Sequence, residues 1–270
     1  MSRSATTSRV LRALLAACMM CIFPSSWGAE TYTLIIQPIQ SPKVTKQSYQ
    51  PLADFLSKAT GQTIKLVTAR NFVTYWQTMR KGKYDLVMDA AHFTDWRIQK
   101  LGYTPLAKIN SVVSFTLVSH ADNPILEPAE LLGKKVAVLP SPSMGAVRLS
   151  ELFPNVMRQP VIVNVNNSQE AVKKVQEGKA LAAIIPTRMV GAFAFLSPVE
   201  QTAQVPHMAI SASRKVPNDI RKKIRDALIN AKNTPEGREL LQKLVLESFE
   251  PTSKKAYRSY SRLLEGVFGY

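Results

Sequence analysis

Strand signals and helix signals alternate along this chain in two successive blocks, and that order restricts the fold more than any other feature. Residues 31–36 are rich in β-branched side chains and read as a strand. After a loop at 37–46, Ser48 is placed to cap a helix with Leu52, Phe55, Leu56 and Ala59 on one face, and Gly61 stops it. A strand at 64–68 follows. Asn71 then caps a helix carrying Phe72, Tyr75, Trp76 and Met79, before a strand at 84–88 and a short helix at 93–100. The second block repeats the order without repeating the sequence. A strand at 135–139 leads through Pro140-Ser141-Pro142-Ser143 into a helix with Val147, Leu149 and Leu152. A strand at 161–165, a helix from Ser168 with Ala171, Val172 and Val175, and a strand at 181–185 complete it.

Strands alternating with helices of this length indicate an α/β fold, with each block a mainly parallel sheet flanked by helices. Two extended runs lie outside the blocks, at 112–119 and 207–213, where the chain can cross from one block to the other and back. Three helices are expected at the end, at 217–232, 235–246 and 253–267, the last with Tyr257, Tyr260 and Leu264 on one face. The expected division is a first lobe of residues 29–118 plus 207–270, with the C-terminal helices, and a second lobe of residues 119–206. Two lobes joined by two crossing segments enclose a cleft that can close by hinge motion.

Residues 1–28 read as a secretory signal peptide. Arg3, Arg9 and Arg12 precede an apolar run of eleven residues, Ala13 to Phe23, too short to span a bilayer, and small residues follow at Ser26 and Gly28. Cleavage is expected after Gly28 or Ala29. A competing lipoprotein-like box, Leu15-Ala16-Ala17-Cys18, lies inside the apolar run. Both cysteines, Cys18 and Cys21, fall in this leader, so the exported chain would have no disulfides, thiol chemistry or cysteine metal sites. Lys plus Arg number 35 against 19 for Asp plus Glu, a net charge of +16. Such an excess suits either an anionic ligand or a solvated basic surface, since the basic residues are scattered.

The ordered motifs resemble a known family. Tyr49-Gln-Pro-Leu-Ala-Asp-Phe-Leu-Ser-Lys-Ala-Thr-Gly61 and Phe72-x-x-Tyr-Trp-x-x-Met-Arg-x-Gly-x-Tyr-Asp-Leu-Val87 are similar to segments of periplasmic substrate-binding proteins of phosphate/phosphite/phosphonate ABC transporters. So are Leu132-Gly-Lys-Lys-Val-Ala-Val138, Gln169-Glu-Ala-Val-x-x-Val-x-x-Gly178, Val216-Pro-Asn-Asp-Ile-x-x-Lys-Ile-x-x-Ala-Leu228 and Thr234-Pro-Glu-Gly237. The resemblance implies a two-lobed periplasmic-binding-protein fold and a periplasmic location. It implies no enzyme activity and no cofactor or metal. The partners it implies are a small anionic ligand, phosphate- or phosphonate-like, and a membrane permease, with a monomeric protein and no nucleic acid. The alternative role is a ligand-sensing subunit that signals to a membrane receptor.

In that family a hydroxyl-rich loop, Asp-Pro-x-Ser-Thr-Ser-Gly in pattern, holds the phosphonate oxygens. Here the stretch reads Leu139-Pro-Ser-Pro-Ser-Met-Gly145. Pro140 and Gly145 match and Ser143 retains a hydroxyl, while Pro142 and Met144 replace two serines and Gln169 stands where histidine is usual. These departures imply altered ligand contacts.

Physically, Ser141 and Ser143 lie between a strand and a helix start, where free N–H groups can face an anion, or where Ser141 simply caps its own helix. Asp89 and His92 follow the third strand of the first lobe, where α/β sheets place ligands. His92 is either an anion donor or a helix-start residue bonded to backbone, and Asp89 either orients it or takes a ligand amine or hydroxyl. Gln37 and Tyr49 can reach the cleft from the first lobe, whereas Phe72 and Tyr75 fit either cleft or core. From the second lobe Asn167 and Ser168 form a polar turn and cap, and Thr187 and Arg188 follow a strand, with Arg188 the expected clamp on charge. Ser143→Ala and Arg188→Ala are expected to weaken binding with little effect on the unliganded fold. The three histidines show no metal spacing, and no nucleotide-binding or hydrolase motif is present.

Overall fold

A computed structural model describes residues 30–267 and 269–270. The expected signal peptide, its cleavage site and both cysteines lie outside the described residues.

The first lobe is built on a six-stranded sheet. Strands β1 (Thr31–Ile36), β2 (Thr63–Val67) and β3 (Leu86–Asp89) form a parallel trio in the order β2-β1-β3. Beside it lie β4 (Thr104–Ile109), β12 (Ala209–Ala212) and β13 (Phe249–Pro251), so that the whole order is β13-β4-β12-β3-β1-β2. β12 runs antiparallel to both β3 and β4. The second lobe carries β6 (Phe115–His120), β7 (Lys135–Val138), β8 (Val161–Asn164), β9 (Ala182–Pro186) and β10 (Leu196–Gln201) in the order β10-β6-β9-β7-β8. Here too a parallel trio, β8-β7-β9, meets antiparallel neighbours. The strand–helix alternation accounts for each trio; the antiparallel strand beside each comes from a crossing segment, β6 on the way into the second lobe and β12 on the way back. The two crossings pair with each other as short strands, β5 (Val112–Val113) with β11 (Val205–Pro206).

Among the described residues seven α-helices cover the sheets: α1 (Pro42–Thr60), α2 (Phe72–Met79), α3 (Ala91–Leu101), α4 (Met144–Leu152), α5 (Ser168–Gln176), α6 (Asn218–Ile229) and α7 (Pro235–Leu244). α1 starts about two turns earlier than its sequence suggests, at a cap seven residues before Ser48. Ser41 is the cap, accepting from the Val44 N–H, and Pro42 occupies the first turn, where its missing N–H costs nothing. Pro51 sits inside the helix. At α7, Thr234 accepts from the Gly237 N–H at 3.1 Å. A Cβ at Gly237 would overlap the Ala231 carbonyl, so this close approach needs glycine.

Side-chain alternation along the strands divides the interior. Leu34, Ile36, Leu86 and Met88 face Leu52, Leu56, Ile220 and Ile224 of α1 and α6. Ile35 and Val87 face the opposite core, with the aromatic residues Phe72, Tyr75, Trp76, Phe93 and Trp96. That second core continues into Val118, Ala137, Ala183 and Ile185, so apolar contact runs from one lobe into the other.

The helix expected at 253–267 is instead two short 3-10 turns, Lys254–Tyr257 and Tyr260–Leu264. Ser259 between them has φ 74°, a left-handed conformation that interrupts any continuous helix. Burial explains the break. Tyr257 is fully buried and donates to the His207 carbonyl at 2.9 Å, while Leu264 is buried in the shared core.

Candidate functional site

Three helices begin at the cleft between the lobes, and all three are capped alike. Asn71 of α2, Ser143 of α4 and Asn167 of α5 each accept from the N–H three residues on, at Thr74, Ala146 and Glu170. That leaves the first two N–H groups of each helix without an intrahelical acceptor and with a partial positive charge. The first residues of these helices, Phe72, Met144 with Gly145, and Ser168 with Gln169, line a cavity of about 140 Å3. Arg188, in the turn after β9, completes the wall and makes no hydrogen bond or ion pair with a described residue. Most of the remaining wall is apolar, including Ile39, Phe115, Val138, Ile184 and Met189.

Of the residues singled out from sequence, Gln37, Ser143, Ser168 and Arg188 are brought to this cavity. Gln37 is pinned there, accepting from the Ala90 N–H at 3.1 Å and donating to Met208 Sδ at 3.1 Å. Ser143 donates to the Leu139 carbonyl at 3.0 Å while it caps α4. The hydroxyl is thus committed to its own turn, and Ser143→Ala must cost stability, contrary to the sequence expectation.

The other candidates sit elsewhere. Asp89 is corrected outright: it is 0% exposed and its carboxylate is taken up inside the first lobe. Tyr75 donates to it at 2.6 Å, Thr94 at 3.1 Å and Arg97 at 3.0 Å. Arg97 also donates to the Tyr75 hydroxyl and lies over the Tyr75 and Tyr103 rings. Burial would push the Arg97 pKa down, but Tyr75 and Asp89 beside it more than offset this and keep the guanidinium charged. Tyr75 therefore belongs to the core. Thr187 hydrogen-bonds with Ser114 and Thr116 at 2.9 Å, beside the crossing strands, and is not on the cavity wall. Asn167 is spent as a cap, and Ser141 is exposed and off the wall. Tyr49, half-buried against the first core, is also off the wall. Burial raises its pKa, and the Arg188 charge acting on it from the other lobe only partly offsets that.

His92 joins the lobes. Its Nε2 lies 2.9 Å from the Pro142 carbonyl, a bond from α3 to the loop ahead of α4. A carbonyl can only accept, so Nε2 carries the proton, and the buried Nδ1 has no partner among the described residues. Burial above all, with a contribution from the Arg148 charge, pulls the His92 pKa down to about 4 despite that bond. His207, which the sequence gave no reason to choose, lines the hinge side of the cleft with Arg188, Val113 and Phe115. Burial, then the Arg188 and Lys108 charges, lower its pKa to about 4 as well. Among the described residues, no group of three or more His, Cys, Asp or Glu could hold a metal ion.

A cleft of this kind between two α/β lobes matches a family model described as the periplasmic substrate-binding protein of phosphonate ABC transporters, over residues 34–257. The chain belongs to this family. No curated protein sequence matches it. Among solved structures, PhnD1 from Prochlorococcus marinus in complex with methylphosphonate aligns with a TM-score of 0.75 at 12% identity, covering 88% of this chain and 98% of that one. A binding-protein component of a phosphonate transporter from Pseudomonas aeruginosa aligns at 0.73 and 14% identity, covering 87% and 85%. A Xanthomonas citri protein solved bound to ATP aligns at 0.72 and 15%, covering 88% and 97%. At such identities these likenesses establish the two-lobed fold. Family members are substrate-binding components of transporters rather than enzymes, and they act in the periplasm.

Proposed function

We propose that this protein, exported by its leader, closes its two lobes about the β5–β11 crossing onto a small anion of the phosphonate kind and delivers it to an ABC permease. The observation that carries this reading is Arg188, a cation without a protein partner among the described residues, on the same cavity wall as the starts of α4 and α5. A guanidinium and free helix-start N–H groups are matched to an oxyanion, and contacts made from both lobes favour the closed form. The moving parts are residues 29–118 with 207–270 on one side and 119–206 on the other. Gln37 and Ser168 would add polar contacts; the altered loop at 139–145 contributes backbone N–H groups in place of serine hydroxyls.

The test is a thermal-shift screen of the exported chain, ligand-stripped by partial unfolding and refolding, against phosphate, methylphosphonate, sulfonates and neutral controls. A ligand at a hundred times its dissociation constant stabilises a folded protein by about 2.7 kcal/mol, or several degrees. A shift with anions that is absent from Arg188→Ala supports the proposal. A folded protein that ignores every anion would sink it.

A further inference from the structure

A second cavity of about 90 Å3 adjoins the first on the hinge side. The two share Gln37, Ile39, Phe115, Met144, Pro186 and Arg188, so a ligand at Arg188 meets both. The hinge-side walls are apolar, formed by Val113, Phe115, Met144 and Met208 among others. Gln37 brings little polarity here, because its carbonyl is taken by Ala90 and its amide faces Met208. At the far end, His207 Nδ1 accepts from the Met208 N–H at 2.7 Å, which leaves the ring proton on Nε2. Burial and the Arg188 charge keep that ring neutral near pH 7, so it adds a donor but no charge. Among the described residues, Arg188 is then the one charged residue on either wall at neutral pH.

Resting on the anion-capture reading above, we propose that the ligand is an amphiphilic monoanion: one singly charged oxyanion group at Arg188 and the helix starts, joined to an apolar body that fills the hinge-side cavity. The charge count and the wall chemistry argue the same way. A doubly charged inorganic phosphate would set two charges against one guanidinium and leave the walls of Phe115, Met144 and Val113 without a partner. An apolar body removes that surface from water and gains affinity in proportion to the area covered. Phe115 and Met144 lie on both walls and would hold the junction between head and body, so they set specificity.

Isothermal titration of the ligand-stripped protein with matched pairs tests this. The pairs are methanesulfonate against phenylmethanesulfonate and propionate against 3-phenylpropionate, with inorganic phosphate, methylphosphonate and neutral benzyl alcohol alongside. The expected result is that each aryl anion binds at least about tenfold tighter than its small partner, as burial of a ring provides. Phosphate and benzyl alcohol should bind weakest. Phe115→Ala should close the gap within each pair, and if that variant fails to fold, the isosteric Val113→Thr should narrow it. Equal affinity within the pairs, or tightest binding by phosphate or methylphosphonate, overturns the amphiphilic assignment and leaves anion capture standing. Benzyl alcohol binding as tightly as 3-phenylpropionate overturns the role of charge, and silence with every compound overturns both readings.

Discussion

The turn after β3 and the turn after β7 occupy corresponding places in the two lobes, yet they treat their polar groups in opposite ways. In the first lobe Asp89 ends the strand and is sealed from solvent by Arg97, Tyr75 and Thr94. In the second lobe, Ser143 satisfies only the Ala146 N–H, and Met144 and Gly145 begin α4 on the cavity wall. Position at a strand end therefore shows where a ligand can lie, and the neighbours of a polar group decide whether it is free to meet one. The first lobe uses its strand-end charge for architecture, and the second leaves its helix-start donors and Arg188 on the cavity wall, where the proposed function puts recognition.

This contrast can be broken by experiment. The largest effect belongs to Arg97→Leu, which strands the Asp89 carboxylate in the core. It should cost about 3–5 kcal/mol in urea unfolding while the surviving folded protein keeps its order of ligand preference. A loss below about 1 kcal/mol would show that the first-lobe turn is not locked by charge. Arg188→Ala should do the converse. Anion affinity should fall by roughly 1.5–3 kcal/mol, or about 10- to 150-fold, with unfolding of the unliganded protein changed by less than about 0.5 kcal/mol.

Acid should act on the contact between the lobes. His92 is held near pKa 4 when folded, against an ordinary value of 6.5, so between these values the unfolded chain binds more protons. Stability is then complete above pH 6.5 and falls as pH drops toward 4, by about 2 kcal/mol at pH 5 for this one group. Urea unfolding at pH 7.5 and pH 5 should show that loss, and His92→Gln, which can still donate to Pro142, should shrink it. An unchanged slope in the variant would remove His92 from the explanation. The smallest effect is Ser143→Ala, about 1 kcal/mol of stability from the lost cap. A stability equal to wild type would mean that the hydroxyl is free for ligand after all.

Much of the fold was legible because it rests on local signals: β-branched runs, the Asn71 and Asn167 caps, and Gly61 at a helix end; the cap of α4 is Ser143 rather than Ser141. The start of α1 differs because Ser48 offers a cap just ahead of the apolar face, whereas Ser41 followed by Pro42 starts the helix earlier in the chain. The tail at 253–267 has a helical pattern that tertiary burial of Tyr257 and Leu264 overrides. For the site, Arg188 and Ser168 could be chosen because residues after strands and at helix starts face the cleft. The commitment of Asp89 could not be read, since its partners Tyr75 and Arg97 come from two separate helices. Nor could the roles of His92 and His207, which depend on residues some fifty or more positions away in sequence, or on the pairing of β5 with β11.

The His92–Pro142 bond is made wholly by protein groups, so its contribution to closure is the same whatever occupies the cleft. If the lobes close on a solute as proposed, part of closure does not depend on solute identity, and a ligand need supply only the remainder. The same bond would then have to break before any solute leaves. Residence time would then be governed partly by a contact no ligand touches, and a mutation there would change release rates alike for tight and weak cargo.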